Sequence, residues 1–112
     1  MRAPRLNRAL VLEAAERVAD GAGGHVLSWV ALGTLWAEVK PGSGRERAGE
    51  FVTLSTVPYR ITVRASAQDS ASRPRPEQRL RDGARVFRIA AVSDADAAGL
   101  YLTCFAHEEV VA

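Results

Sequence analysis

Tyr59-Arg60-Ile61-Thr62-Val63-Arg64 is the stretch that decides the fold, because apolar and polar residues alternate along it without a break. A period of two places Tyr59, Ile61 and Val63 on one face of an extended chain and Arg60, Thr62 and Arg64 on the other, the pattern of a half-buried strand. A helical period would spread the same three apolar residues around the axis and leave no face to bury.

The same period recurs on both sides. Upstream, Gly33 to Val39 sets Leu35, Ala37 and Val39 against Thr34, Trp36 and Glu38, and Pro41-Gly42-Ser43-Gly44 ends the strand because proline cannot donate to a ladder. Downstream, Asp82-Gly83 reads as a hairpin turn into Arg85 to Val92, with Phe87 and Ile89 inward. Ser93 to Gly99 is a further turn, and Leu100 to Ala106 is the last strand, with Leu100, Leu102 and Cys104 on its inner face. Strands at short intervals with turn chemistry between them predict a mainly β fold, a small antiparallel β-barrel of SH3-like or sandwich-like form. Its expected core is Leu35, Trp36, Tyr59, Ile61, Val63, Phe87, Ile89 and Leu102, with Trp29 and Trp36 each sealing one end.

Three segments depart from this pattern. In Leu6 to Val18, the residues Val11, Ala14, Ala15 and Val18 fit helical spacing while Leu10, Leu12 and Ala14 fit a strand; propensity alone favours helix. The segment ends at Asp20-Gly21-Ala22-Gly23-Gly24, a glycine-rich turn. Arg45 to Thr56 reads as a short helix through Glu46, Ala48 and Glu50 or as an extended loop, an insert after the second or third strand. Ala65 to Leu80 is rich in Ser, Arg, Pro and Gln, and Pro74 and Pro76 interrupt regular structure. A loop of that length in a compact domain points to binding or assembly.

Composition bounds the function. At 112 residues with 47% hydrophobic content, residues 1–112 are expected to form one domain with one core. The single cysteine, Cys104, excludes an intrachain disulfide, and with only His25 and His107 beside it a structural zinc site lacks ligands. No apolar run approaches the ~18 residues of a membrane span. Arg8, Glu13 and Glu16 interrupt what would be the apolar part of a signal peptide, so the expectation is a cytoplasmic product without membrane contact. The 15 basic and 13 acidic side chains give a net charge of +2, but only Lys40 is a lysine, a bias that a GC-rich genome produces. The high isoelectric point is therefore discounted as a sign of nucleic-acid binding. Distribution says more: residues 41–88 carry ten Arg against five acids, and the chain after Arg88 carries four acids and no Lys or Arg. In a ring of identical subunits that asymmetry would draw neighbours together head to tail.

No constellation for catalysis is found. Gly21-Ala22-Gly23-Gly24 lacks the strand-then-helix setting of a phosphate loop. Cys104 and His107 are three apart, so a strand sends them to opposite faces, and the carboxylates do not converge. The expectation is a non-enzyme with no cofactor and no metal. Arg73, Arg75, Arg79 and Arg81 cluster in the polar segment, where they could meet a phosphate backbone, but no aromatic platform accompanies them, so a solvated loop or a protein-docking one is favoured.

Taken together, the chain resembles the small head-tail joining proteins of long-tailed phages, the head closure or stopper proteins, including those of gene transfer agents. The likeness spans nearly the whole chain. Its carriers are Leu6-Asn7-Arg8 with Val11-Leu12, Asp20-Gly21-Ala22-Gly23-Gly24 with Trp29, Gly33-Thr34-Leu35-Trp36-Ala37-Glu38-Val39, and Gly44 with Glu46. Tyr59 to Arg64 and Arg81-Asp82-Gly83 before Val86-Phe87-Arg88-Ile89 complete the set.

This resemblance implies a β-barrel with strand rather than helix at Leu6 to Val18. It also implies a homo-oligomeric ring, six copies with twelve as the alternative, between the portal and adaptor proteins above and the tail terminator or tail tube below. Packaged DNA would pass through the channel, and the protein would reside in the host cytoplasm during assembly and in the particle neck thereafter. Gly42, Gly44, Arg45, Glu46, Arg47 and Glu50 are the expected channel-lining residues, and Arg73, Arg75, Arg79 and Arg81 the expected contact to another neck protein. The insert Ala65 to Leu80 is long and Arg-rich for such a protein. The alternative function is a monomeric nucleic-acid-binding barrel using residues 73–81.

Overall fold

A computed structural model describes residues 3–42 and 57–109. They form six strands: β1 (Arg8–Ala19), β2 (His25–Pro41), β3 (Val57–Arg64), β4 (Arg79–Asp82), β5 (Arg85–Asp94) and β6 (Tyr101–Glu109). All pairings are antiparallel and close a barrel in the order β1-β2-β3-β6-β5-β4, so β1 and β4 complete the ring. No helix occurs among the described residues, and the expected insert at Arg45 to Thr56 lies outside them.

Inward residues alternate as the strand period requires. Leu10, Leu12, Ala37, Ile61, Val63, Leu80, Phe87, Ile89, Leu102, Cys104 and Ala106 form one buried cluster, with Leu35, Val39 and Tyr59 packed against it. Each fully buried Leu, Ile or Phe contributes roughly 1.5–3 kcal/mol by leaving water. Tyr59 meets Phe87 edge to face with ring centroids 5.0 Å apart. The turn between β4 and β5 has Gly83 at φ +61° and no positive φ at Ala84, the pattern of a type II′ hairpin that suits the twist of the strands.

Leu6 to Val18 is strand, as the family resemblance implies: β1 begins at Arg8, and pairing on two sides overrides its helix propensity. Three readings of the sequence need correction. Trp36 is not in the core but 59% exposed, because the alternation that turns Leu35 and Ala37 inward turns Trp36 outward. Trp29 likewise seals no barrel end and lies on the outer surface between arginines. Leu100 is 57% exposed, since it precedes β6 in a turn where its N–H and that of Tyr101 both bond Asp96 Oδ1 at 3.0 Å.

Candidate functional site

The β1–β2 hairpin is much longer than the barrel is tall. β1 meets β4 only at Val11–Glu13, and β2 meets β3 only at Ala37–Pro41. Beyond those points, among the described residues, the two strands pair with each other alone, from Ala14–Val30 to Ala19–His25, and project as a two-stranded arm. At 3.3 Å per residue the seven residues from His25 to Ala31 reach about 23 Å past the barrel mouth. The register slips where the arm begins: Leu12 opposes Gly33 and Glu13 opposes Ala31, so Leu32 is an extra residue on β2 and the ribbon bends there. At the tip, Asp20 Oδ1 accepts the N–H groups of Ala22 at 2.8 Å and Gly24 at 3.0 Å, while Gly21 and Gly23 supply φ values of +82° and +86°.

An outer cluster fixes the base of the arm. Glu13 is 6% exposed, and its carboxylate accepts Arg79 Nε at 2.7 Å and Arg81 Nε at 3.1 Å. Burial by itself would raise the Glu13 pKa, but the two hydrogen bonds and positive charges outweigh it and hold the group below its ordinary value. Trp29, on the arm, receives the Arg79 guanidinium 4.1 Å and the Arg88 guanidinium 5.2 Å from its ring centroid. Arg88 also reaches Glu77 at 3.2 Å and Glu109 at 3.4 Å.

The arginines expected to act as one loop therefore separate into two groups. Arg79 and Arg81 stand on β4 and are held by Glu13. Arg73 donates to the Ser66 carbonyl at 2.9 Å and Arg75 to that of Gln68 at 2.5 Å, bracing the loop against itself, and Pro74 is fully buried. Of the expected channel-lining residues, Gly42 donates its N–H to the Pro58 carbonyl at 2.9 Å; Gly44, Arg45, Glu46, Arg47 and Glu50 lie outside the described residues.

The two barrel ends differ. One gathers the start of β1, β3 and β5 and the finish of β2, β4 and β6. There Arg8 pairs with Asp82, and Arg85 meets Glu108 at 2.8 Å and the Tyr59 hydroxyl at 3.2 Å. The hydrogen bond from Arg85 holds Glu108 below its usual pKa against the opposing effect of burial. The other end carries the arm, the 65–78 loop and the turn into β6.

The strand His25 to Leu32 carries only a faint sequence signal: Val26, Ser28 and Val30 alternate with Leu27, Trp29 and Ala31, but apolar residues occupy both faces and hide the period. Exposed large apolar side chains are concentrated here: Val18, Val26, Leu27 and Val30, with Trp36 near the base. Among the described residues no group of three or more His, Cys, Asp or Glu could hold a metal. The arrangement is one of surfaces and anchors.

Comparison with known proteins agrees. The chain is similar to a protein in the virion of a native gene transfer agent particle, at 67% identity and a TM-score of 0.79, covering 98% of this chain and 100% of that one. A Shigella flexneri 2a protein known from its solution structure is 25% identical with a TM-score of 0.68, over 96% of each chain. None of the curated proteins matches. Residues 1–109 match the phage head completion protein family. The chain belongs to that family, and its role is that of a structural protein of a phage-like particle rather than an enzyme.

Proposed function

We propose that this protein forms a closed ring of identical copies in the neck of a phage-like particle, between the portal and adaptor above and the tail below, with packaged DNA passing through the ring. The observation that carries this is the arm. A two-stranded ribbon is marginal in water by itself, and this one leaves Val26 53% and Leu27 58% exposed on opposite faces. Such a ribbon is useful to an assembly and a liability to a monomer. The 67% identity to a gene transfer agent virion protein supports a particle of that kind.

Residues 42–50 as channel lining and Arg73 and Arg75 as a contact to a neighbouring neck protein form the finer part of the proposal. The rival reading, a monomeric barrel gripping nucleic acid through residues 73–81, is disfavoured because Arg73, Arg75, Arg79 and Arg81 all spend donors within the chain. Phosphate contacts would give DNA affinity that falls steeply with salt.

Deleting the gene in a producing strain tests the role. The expected product is filled heads without tails that leak DNA, restored by the intact gene. Tailed, DNA-retaining particles from the deletion strain would overturn it.

A further inference from the structure

The inner face of β1 continues past the barrel mouth. Leu10 and Leu12 point into the core, and the same face of the ribbon goes on as Ala14 and Val18, opposite Val30 and Val26. Inside the barrel that stripe is covered by the opposite wall. On the arm Val18, Val26 and Val30 are 41%, 53% and 40% exposed. Glu16 stands on this face between the Ala14–Val30 and Val18–Val26 pairs, opposite Ser28.

A matching surface lies at the fork where β2 leaves β3. Their pairing stops at Ala37–Val63, and from His25 to Trp36 the edge of β2 that would continue toward β3 has no strand partner among the described residues. A groove opens there, lined by Leu6, Thr34, Leu35, Trp36, Val63 and Arg64. Trp36 is 59% exposed beside it, and the Arg64 guanidinium rests 5.8 Å from the centroid of Tyr101 at the surface. An arm cannot fill the groove of its own chain, because arm and groove are consecutive parts of one strand, β2, which runs directly from Ala31 into Thr34 with no turn between them.

We infer that the groove at the β2–β3 fork receives the arm of a second copy of this chain, with the Val18, Val26 and Val30 stripe against Trp36 and Leu6 and Glu16 facing Arg64. This rests on the ring reading and names the contact that closes it. Charge complementarity selects the occupant: the arm's exposed stripe carries an acid at its middle and the groove carries a base at its rim. Because the arm and the groove are different patches, the contact is heterologous, the kind that generates rings of more than two copies. The free β2 edge allows the incoming strand to add main-chain hydrogen bonds.

A cysteine pair placed in assembled particles tests the inference. Val26→Cys and Thr34→Cys lie eight residues apart on one strand, about 26 Å, so a disulfide between them cannot form within a chain. Native Cys104 is buried and gives no background. Oxidised particles carrying both changes should show a ladder of dimer, trimer and higher multiples on a non-reducing gel, with each single variant staying monomeric.

Dimers from Val26→Cys alone would mean that arms meet arms, and a cross-link to a different particle protein would mean another occupant; either overturns the inference. So does the absence of a ladder in particles that contain the doubly substituted chain. Should that chain fail to enter particles, charge reversal decides. Glu16→Arg or Arg64→Glu alone should lower incorporation by about tenfold, and the two together should restore it, whereas equal loss in the double variant refutes the contact. An imaged ring without the cross-link would remove the arm-in-groove contact and leave the ring standing; a single copy per neck would remove both.

Discussion

Glu13 accepts a hydrogen bond from Arg79 at 2.7 Å at the residue where β1 leaves the barrel. The carboxylate also takes Arg81, so one buried acid ties the root of the arm to β4 across the shortest seam of the barrel, a pairing of only Val11–Glu13 with Arg79–Arg81. Glu13→Ala leaves two arginines without their acceptor and is expected to cost about 3 kcal/mol, the lower end for a broken buried pair because the Arg81 side chain is 39% exposed. Urea unfolding of wild type and variant measures it; a change within experimental error would show that the cluster is incidental.

Acid should loosen this seam and the Arg85–Glu108 contact. Glu13 and Glu108 both have folded-state pKa values below the ordinary 4.5, so near that pH the unfolded chain binds more protons and stability rises with pH. Their contribution is complete above pH 4.5 and is lost as pH falls through the lowered values. The Tm should drop below pH 4.5, and Glu13→Gln should flatten that slope. An equally steep slope in the variant would assign the acid sensitivity to other groups.

The two tryptophans should behave oppositely. Trp29→Ala removes the surface on which Arg79 and Arg88 stack and should cost about 1–2 kcal/mol and speed amide exchange along the arm. Trp36→Ala, at an outward position, should change the stability of the isolated protein by less than about 0.5 kcal/mol. Denaturation of both variants checks this, and a destabilised Trp36→Ala protein would return that ring to the core.

Cys104 is expected to be inert. Burial raises its thiol pKa to about 12, with Arg73 acting weakly the other way, so little thiolate forms near neutral pH. Thiol reagents should label it only in denaturant, and Cys104→Ala should cost about 1 kcal/mol through a small cavity, with no loss of assembly. Rapid labelling of the native protein would contradict its burial.

How far the sequence reveals this molecule depends on which contacts decide each element. Tyr59 to Arg64 was legible because one face is buried and the other solvated, so composition records the fold directly. The Asp82-Gly83 turn was legible because its backbone needs a positive φ. β1 was not, because its leucines, alanines and glutamates favour helix locally and become strand through partners as distant as Arg79. The same alternation that puts Leu35 inside puts Trp36 outside, and the size of an indole is no sign of its burial. The Glu13 cluster joins residues 66 apart and left no local signal. Neither did the fork groove, which exists only because two strands part.

Cryo-electron microscopy of the particle neck tests the proposed role most directly. The expected density is a closed ring of identical six-stranded barrels between portal and tail, coaxial with the DNA channel. A lone copy, an open cluster off the axis, or a neck complete without this chain would contradict it.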